Sequence, residues 1–276
     1  MKAICPICPQ HCALEEGQSG LCRARKNIAG TVTAANYGHL TSIAVDPVEK
    51  KPFRRWYPGK SILSVGSYGC NLHCPFCQND AISQAGAEAP GTDVTPEALV
   101  TLAQQLNHGP RGNLGVAFTY NEPLVGYEYV RDAAKLLRQA GLKTALVTNG
   151  MICQEPLAGL LPSIDAMNID LKGWGSEFYQ WLGGDLGTVQ ATIAQAAAVC
   201  HVEVTTLIVP GKNDDEAAMA QEAAWLASLS PDLPLHISRL FPRFQMQAAQ
   251  PTPVAMIERL CTIARKHLKY VYAGNC

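Results

Sequence analysis

From about residue 60 onward the chain alternates short, nearly unbroken apolar runs with longer stretches whose apolar residues recur every three or four positions. The runs at 61–66, 115–119, 144–148, 166–171, 202–209 and 235–238 predict buried strands, with 270–272 as a short terminal one. Between them lie predicted helices. The first opens at Thr95-Pro96-Glu97, where Thr95 can cap and Pro96 takes the first helical position, and Leu99, Leu102, Ala103 and Leu106 form its apolar stripe. Others are expected over 129–140 (stopped by Gly141), 189–199, 215–229 and 254–267. Strands so uniformly apolar suit a parallel sheet with both faces covered. The repetition predicts an α/β fold, either a doubly wound sheet or a full or partial (β/α) barrel. In each, chemistry sits at the C-terminal ends of the strands.

Residues 1–55 have another texture. Gly, Pro and Asn punctuate two short apolar segments, 30–33 and 41–45, as expected of a small metal-stapled module ahead of a barrel over 56–276. Composition narrows the function. The 276 residues are 47% hydrophobic, enough for a sizeable core, and carry a net charge of −1, which leaves no overall electrostatic footprint for nucleic acid or membrane. No apolar run approaches the ~18 residues that span a bilayer. The start, Met1-Lys2-Ala3-Ile4-Cys5-Pro6, lacks the apolar stretch of a secretion signal, which predicts a cytoplasmic chain.

In that reducing setting the 11 cysteines are poor material for disulfides. Cys153, Cys200, Cys261 and Cys276 are scattered and expected to pack as small apolar residues. The others fall into two clusters: Cys5, Cys8, Cys12 and Cys22, then Cys70, Cys74 and Cys77. The second cluster reads C-x3-C-x2-C directly after the first strand, a spacing with roughly one chance in fifty of arising at this cysteine frequency. A zinc knuckle needs a closed shell of four ligands, and His73, adjacent to Cys74, can hardly turn to the same ion. Three thiolates in one loop suit a [4Fe–4S] cluster with one iron left open to a cofactor or substrate.

Here the chain resembles the radical S-adenosylmethionine (SAM) superfamily, whose signature is C-x3-C-x-aromatic-C, with Phe76 as the aromatic. The resemblance implies a partial (β/α)6 barrel, a cluster on Cys70, Cys74 and Cys77, and SAM on the open iron. The family's Gly-Gly-Glu-Pro-like segment, which holds the SAM amino group, corresponds to Thr119-Tyr120-Asn121-Glu122-Pro123. Tyr-Asn replaces Gly-Gly, which shifts the expected contacts to the Asn121 and Glu122 side chains. Polar residues at later strand ends complete the expected cofactor site: Thr148 and Asn149; Asp170 and Lys172, which share a strand face with Asn168; Val209 and Gly211 in an adenine-contacting turn; and His236, with Arg239 beside it. For Asp170 and Lys172 a private salt bridge is the competing reading. The aromatic loop at 174–181 suits either docking of a protein or packing over the fourth strand.

End to end, the chain is similar to the radical SAM component of the AmmeMemoRadiSam group, relatives of the pyruvate formate-lyase activating enzyme. Cys5-Pro6-Ile7-Cys8-Pro9-Gln10-His11-Cys12, Gly20-Leu21-Cys22, the segment 46–52 and the segment 268–275 carry that likeness. It implies an oxidoreductase that cleaves SAM reductively and abstracts hydrogen from a protein or small molecule, a glycyl-radical activase among the options. The implied partners are a low-potential donor, flavodoxin or ferredoxin, and Memo-type or AMMECR-type proteins. The four N-terminal cysteines can close a shell around zinc or a second Fe–S cluster, and coordination favours zinc. A non-catalytic zinc or Fe–S scaffold for those partners is the alternative from another class.

Overall fold

The computed structural model describes residues 1–107 and 111–276. Its amino-terminal part is built from short pairs: β1 (Ala3–Ile4) with β2 (Ala13–Leu14), and β3 (Arg25–Ile28) with β4 (Thr31–Ala34), both antiparallel. Ala29 and Gly30, at φ of 53° and 81°, form the two-residue turn of the second pair, the twist such hairpins favour. After them come β5 (His39–Leu40), β6 (Ser42–Pro47), β7 (Ser61–Gly66) and β8 (Thr92–Asp93). β5 pairs with β8, while β6 runs antiparallel along β7.

From β7 onward the sheet is parallel through β9 (Asn113–Phe118), β10 (Lys143–Thr148), β11 (Ala166–Asp170), β12 (His201–Ile208), β13 (Leu235–Arg239) and β14 (Val271–Gly274). The strand order β14-β13-β12-β11-β10-β9-β7-β6 leaves β14 and β6 as free edges, so the sheet is a partial barrel rather than a closed one. Helices α1 (Asp80–Ser83), α2 (Pro96–Gln105), α3 (Tyr127–Gln139), α4 (Gln154–Leu160), α5 (Ser176–Trp181), α6 (Leu186–Ala197), α7 (Glu216–Leu229) and α8 (Val254–Ala264) lie in the connections. Thr95 caps α2 through Ala98 N–H, as the sequence predicts; Asp185 and Asp215 cap α6 and α7 in the same way. Helices α1, α4 and α5 were not legible, being too short to show a period.

Alternation along the strands sorts the core. Leu63, Val65, Val116, Phe118 and Leu146 join the large apolar cluster with Leu99 and Leu137 of the helices. Ile62, Ala117, Ala145 and Ala166 point to the other face, and their small side chains leave room for Val48, Phe53 and Trp56. The segment after β6 thus plugs the inner face of the partial barrel. Full burial of a side chain such as Phe53 contributes about 2–3 kcal/mol. Glu203 secures the plug by accepting Arg54 and Arg55 N–H at 3.0 and 2.8 Å, and Asn168 donates to the Pro52 carbonyl at 3.0 Å. The sheet therefore takes up Ser42–Pro47 and the plug, residues that the sequence groups with the cysteine module, because the apolar segment at 41–45 finds its partner in β7. The module also shares the large core: Cys5, Ile7 and Leu14 pack in one cluster with Leu72, Cys74 and Phe76.

Candidate active site

Strand β7 ends at Gly66, and the chain passes through Ser67, Tyr68 and Gly69 into Cys70. A Cβ at Gly69, where φ is +89°, would stand 2.5 Å from the Cys22 carbonyl, so only glycine lets this turn lie against the amino-terminal module. Asn121 holds the same stretch from the end of β9. Its Oδ1 accepts Ser67 N–H at 3.0 Å and its Nδ2 donates to the Tyr68 and Gly69 carbonyls at 3.1 and 3.0 Å.

Cys70, Cys74 and Cys77 sit on one loop, Cys74 buried and the other two half-buried. Burial pushes the Cys70 thiol well above its ordinary pKa, with Glu122 adding to the rise, and pushes Cys74 up to about 11, opposed by Lys172. Thiols so placed ionise readily only against a bound cation. Cys70 Sγ receives Leu72 N–H at 3.4 Å and the Asn149 amide at 3.6 Å, and Cys77 Sγ lies 3.1 Å from Ser83 Oγ. Among the described residues no three His, Cys, Asp or Glu side chains converge as the ligands of one ion do. In an iron–sulfur cubane each thiolate takes its own iron, so its ligands stand further apart than those around a single zinc. A three-thiol loop with two members reaching the surface fits such a cluster.

Glu122 lies beside this loop, buried. Its Oε1 accepts Thr148 Oγ1–H at 2.7 Å and Leu124 N–H at 2.9 Å, and its Oε2 accepts Asn149 N–H at 2.7 Å. Burial raises its pKa to about 7 against these three donors. Asn149 in turn donates to Asn71 Oδ1 at 2.9 Å. The Asn121 and Glu122 side chains, expected to contact SAM, are both engaged by the chain itself, Asn121 bracing the approach to Cys70 and Glu122 fixing Thr148 and Asn149.

At the exit of β11 Lys172 Nζ lies 2.7 Å from Asp170 Oδ2, so the private pair forms. Burial works against the lysine's charge, yet Asp170 and the nearby Cys74 and Cys77 hold its pKa above the usual lysine value. The pair therefore faces the cysteine loop. Phe76 is buried, its ring 6.4 Å from Phe178 and 6.0 Å from Trp181. The aromatic side chains of this loop mostly pack: Phe178 and Tyr179 of α5 are buried and Trp174 is half-buried, while Trp181 reaches the surface beside Lys212.

In the turn after β12 Val209 is buried and Gly211 exposed at φ +73°. Asn213 pins this turn to the Asp170–Lys172 exit, accepting Val209 N–H at 2.6 Å and donating to the Lys172 carbonyl at 2.7 Å. His236 Nε2 lies 2.6 Å from Glu203, which holds the barrel plug, and its ring stacks on Tyr272. Arg239 donates to the Thr252 carbonyl.

The four amino-terminal cysteines line one recess together with Asn71, Arg25, Ile7 and Val125. Asn71 and Arg25 are the residues sequence reasoning missed. Asn71 stands inside the C-x3-C motif with no spacing signal of its own. Arg25 is a charged residue in a strand, of a kind almost always found at the surface. Of the scattered cysteines Cys261 is buried and Cys200 half-buried, while Cys276 is exposed.

Residues 64–223 match the family model of the radical SAM superfamily. The chain is 38% identical over 285 residues to an uncharacterized protein of Methanocaldococcus jannaschii, covering 99% of this chain and 81% of that one. It is also 30% identical over 154 residues to the pyruvate formate-lyase 1-activating enzyme of Escherichia coli K12, covering 54% of this chain and 61% of the enzyme. Among solved structures, a domain of pyruvate-formate lyase-activating enzyme from Bacteroides vulgatus superposes with a TM-score of 0.50 at 24% identity over 58% of this chain and 98% of that domain. Streptococcus suis SuiB bound to S-adenosylmethionine superposes with 0.54 at 14% identity over 78% of this chain and 49% of SuiB. These two support the fold alone. With a family model spanning more than half of its length and a relative matched almost end to end, the chain belongs to the radical SAM superfamily.

Proposed function

We propose that this chain is the radical SAM enzyme of an AmmeMemoRadiSam-type system, an oxidoreductase related to glycyl-radical activases. Bound there, a [4Fe–4S] cluster with SAM would supply the one low-potential electron that cleaves the SAM C5′–S bond reductively and so would permit hydrogen abstraction from the substrate. The observation that carries this reading is the single loop at the end of β7 that presents Cys70, Cys74 and Cys77 beside the Asp170–Lys172 pair.

In this reading Cys70, Cys74 and Cys77 hold the cluster. The Asn149 amide and Leu72 N–H donate to Cys70 Sγ and stabilise the thiolate. Lys172 lends positive charge near Cys74, and Asp170 keeps that ammonium in place. The end of β9, held by Asn121 and Glu122, carries the SAM amino group, and the Val209–Gly211 turn, pinned by Asn213, receives the adenine. Phe76, clamped by Phe178 and Trp181, closes the loop against water. The hydrogen donor is a protein backbone or side chain. The likeness over 154 residues to the Escherichia coli activating enzyme supports this choice. A low-potential flavodoxin or ferredoxin supplies the electrons, and Memo-type and AMMECR-type proteins are the partners.

The substrate class is tested by incubating the reduced protein and SAM with each of those partners in deuterated and ordinary form. Deuterium in the recovered 5′-deoxyadenosine identifies the partner that donates hydrogen. Deuterium from none of them, with steady formation of 5′-deoxyadenosine, would exclude a protein donor of this class.

A further inference from the structure

Cys5, Cys8, Cys12 and Cys22 line one recess, and among the described residues no three of them converge as the ligands of a single ion do. A mononuclear zinc site closes at Zn–S distances of about 2.3 Å, with its sulfurs in mutual contact and no interior to fill. The loop is already set: Cys5 N–H donates to the Cys12 carbonyl at 3.0 Å and His11 N–H to the Cys8 carbonyl at 3.1 Å.

The wall of the recess is built for negative charge. Arg25, only 2% exposed, has all its N–H groups engaged. Its Nε donates to Cys5 Sγ at 3.1 Å, Nη1 to Glu128 at 2.9 Å and the Val125 carbonyl at 3.2 Å, and Nη2 to Glu128 at 2.8 Å and the Val32 carbonyl at 2.9 Å. Glu128 is one anion for this buried guanidinium, and Arg25 Nε stays directed at Cys5 Sγ, so it favours a thiolate there.

The recess also abuts the loop of the first cluster. The Cys22 carbonyl fills the space where a side chain on Gly69, the residue before Cys70, would begin. Asn71, the residue after it, lines the recess and accepts from the Asn149 amide that reaches Cys70 Sγ. The two cysteine sets are thus joined through one side chain and one backbone contact.

We propose that Cys5, Cys8, Cys12 and Cys22 hold a second [4Fe–4S] cluster, which passes electrons to the cluster of Cys70, Cys74 and Cys77. This departs from the zinc favoured by the spacing alone, and its relay role rests on the function proposed above. One electron from a low-potential carrier protein of the flavodoxin or ferredoxin class reduces the second cluster from 2+ to 1+. Its return to 2+ reduces the first cluster by the same electron, so no proton or ligand need move. Arg25 offsets the added negative charge on the reduced second cluster.

The full-length protein, isolated without oxygen, should bind about eight irons per chain and no zinc. The Cys70→Ala/Cys74→Ala/Cys77→Ala variant should keep about four irons and, on reduction, show the paramagnetic resonance of one [4Fe–4S]⁺ centre. Because this variant leaves the recess intact, its iron reports the second site even if the first is misassigned. One equivalent of zinc and no iron in that variant would overturn the proposal. Reduced wild type should give a resonance broadened by coupling between two nearby centres, which narrows in the triple variant and in Cys8→Ser/Cys12→Ser. A wild-type spectrum equal to the sum of the two variants would overturn the relay. Arg25→Gln should lower the midpoint potential of the second centre alone, and an unchanged potential would remove Arg25 from this role.

Discussion

Replacing Glu122 separates bracing from ligand contact. In Glu122→Ala the hydroxyl of Thr148 and the N–H groups of Asn149 and Leu124 lose their acceptor inside the core. An orphaned buried donor costs about 1–3 kcal/mol, so three cost roughly 3–6 kcal/mol after partial relaxation. At roughly 2–4 °C per kcal/mol for a chain of this size, the melting temperature should fall by about 6–24 °C. Glu122→Gln is different. Its carbonyl can keep Thr148 and Leu124, while its NH2 opposes Asn149 N–H, losing one bond of about 2 kcal/mol. Against that, a carboxyl raised by burial from 4.5 to about 7 carries a penalty of about 3 kcal/mol in its ionised form, which the neutral amide removes. The sign follows from linkage: a raised carboxyl pKa contributes stability below about 4.5 that is lost as pH rises through about 7. Ligand-free wild type should therefore lose stability over that window, and Glu122→Gln should not. Both variants should weaken SAM binding, Ala the more, because Asn149 loses its anchor. Calorimetry across pH, with SAM titration, is the assay. An Ala variant with wild-type melting temperature and SAM affinity would refute the reasoning.

Glu203 should show the opposite slope. Burial raises its pKa, but His201, His236 and the Arg54 and Arg55 N–H groups outweigh it and bring it down to about 2. Its contribution is present above about 4.5 and lost as pH falls toward about 2, so Glu203→Gln should flatten acid unfolding, and an unchanged acid limb would contradict the plug. Gly115 sits at φ +152° where β9 bulges against β7, and a Cβ there would overlap the Lys143 carbonyl. Gly115→Ala should cost about 3 kcal/mol or more, read as a lowered denaturation midpoint; a midpoint within error of wild type would show that the bulge relaxes freely.

The parallel strands were legible because both their faces are buried, which writes continuous apolar runs into the sequence. The cysteine loop was legible because its three ligands are close along the chain. What escaped the sequence depends on contacts across the fold. The antiparallel strand β6 is an edge with Ile43 and Val45 half-exposed, so its apolar signal resembled that of the module before it. His236 stood at a strand position suited to a ligand, and only the three-dimensional pairing with Glu203, 33 residues away, shows its engagement. Glu122 was singled out by its motif, but its three partners come from its own turn and from the end of β10, which no local pattern reveals.

The central claim is that Cys70, Cys74 and Cys77 hold the cluster at which SAM is cleaved. It is tested most directly by quantifying 5′-deoxyadenosine formed from SAM under dithionite, after anaerobic iron and sulfide reconstitution, in the wild type and in the Cys70→Ala/Cys74→Ala/Cys77→Ala variant. The wild type should form it in time-dependent fashion and the variant should form none, although its other cysteines remain. Continued formation of 5′-deoxyadenosine by the variant would contradict the assignment.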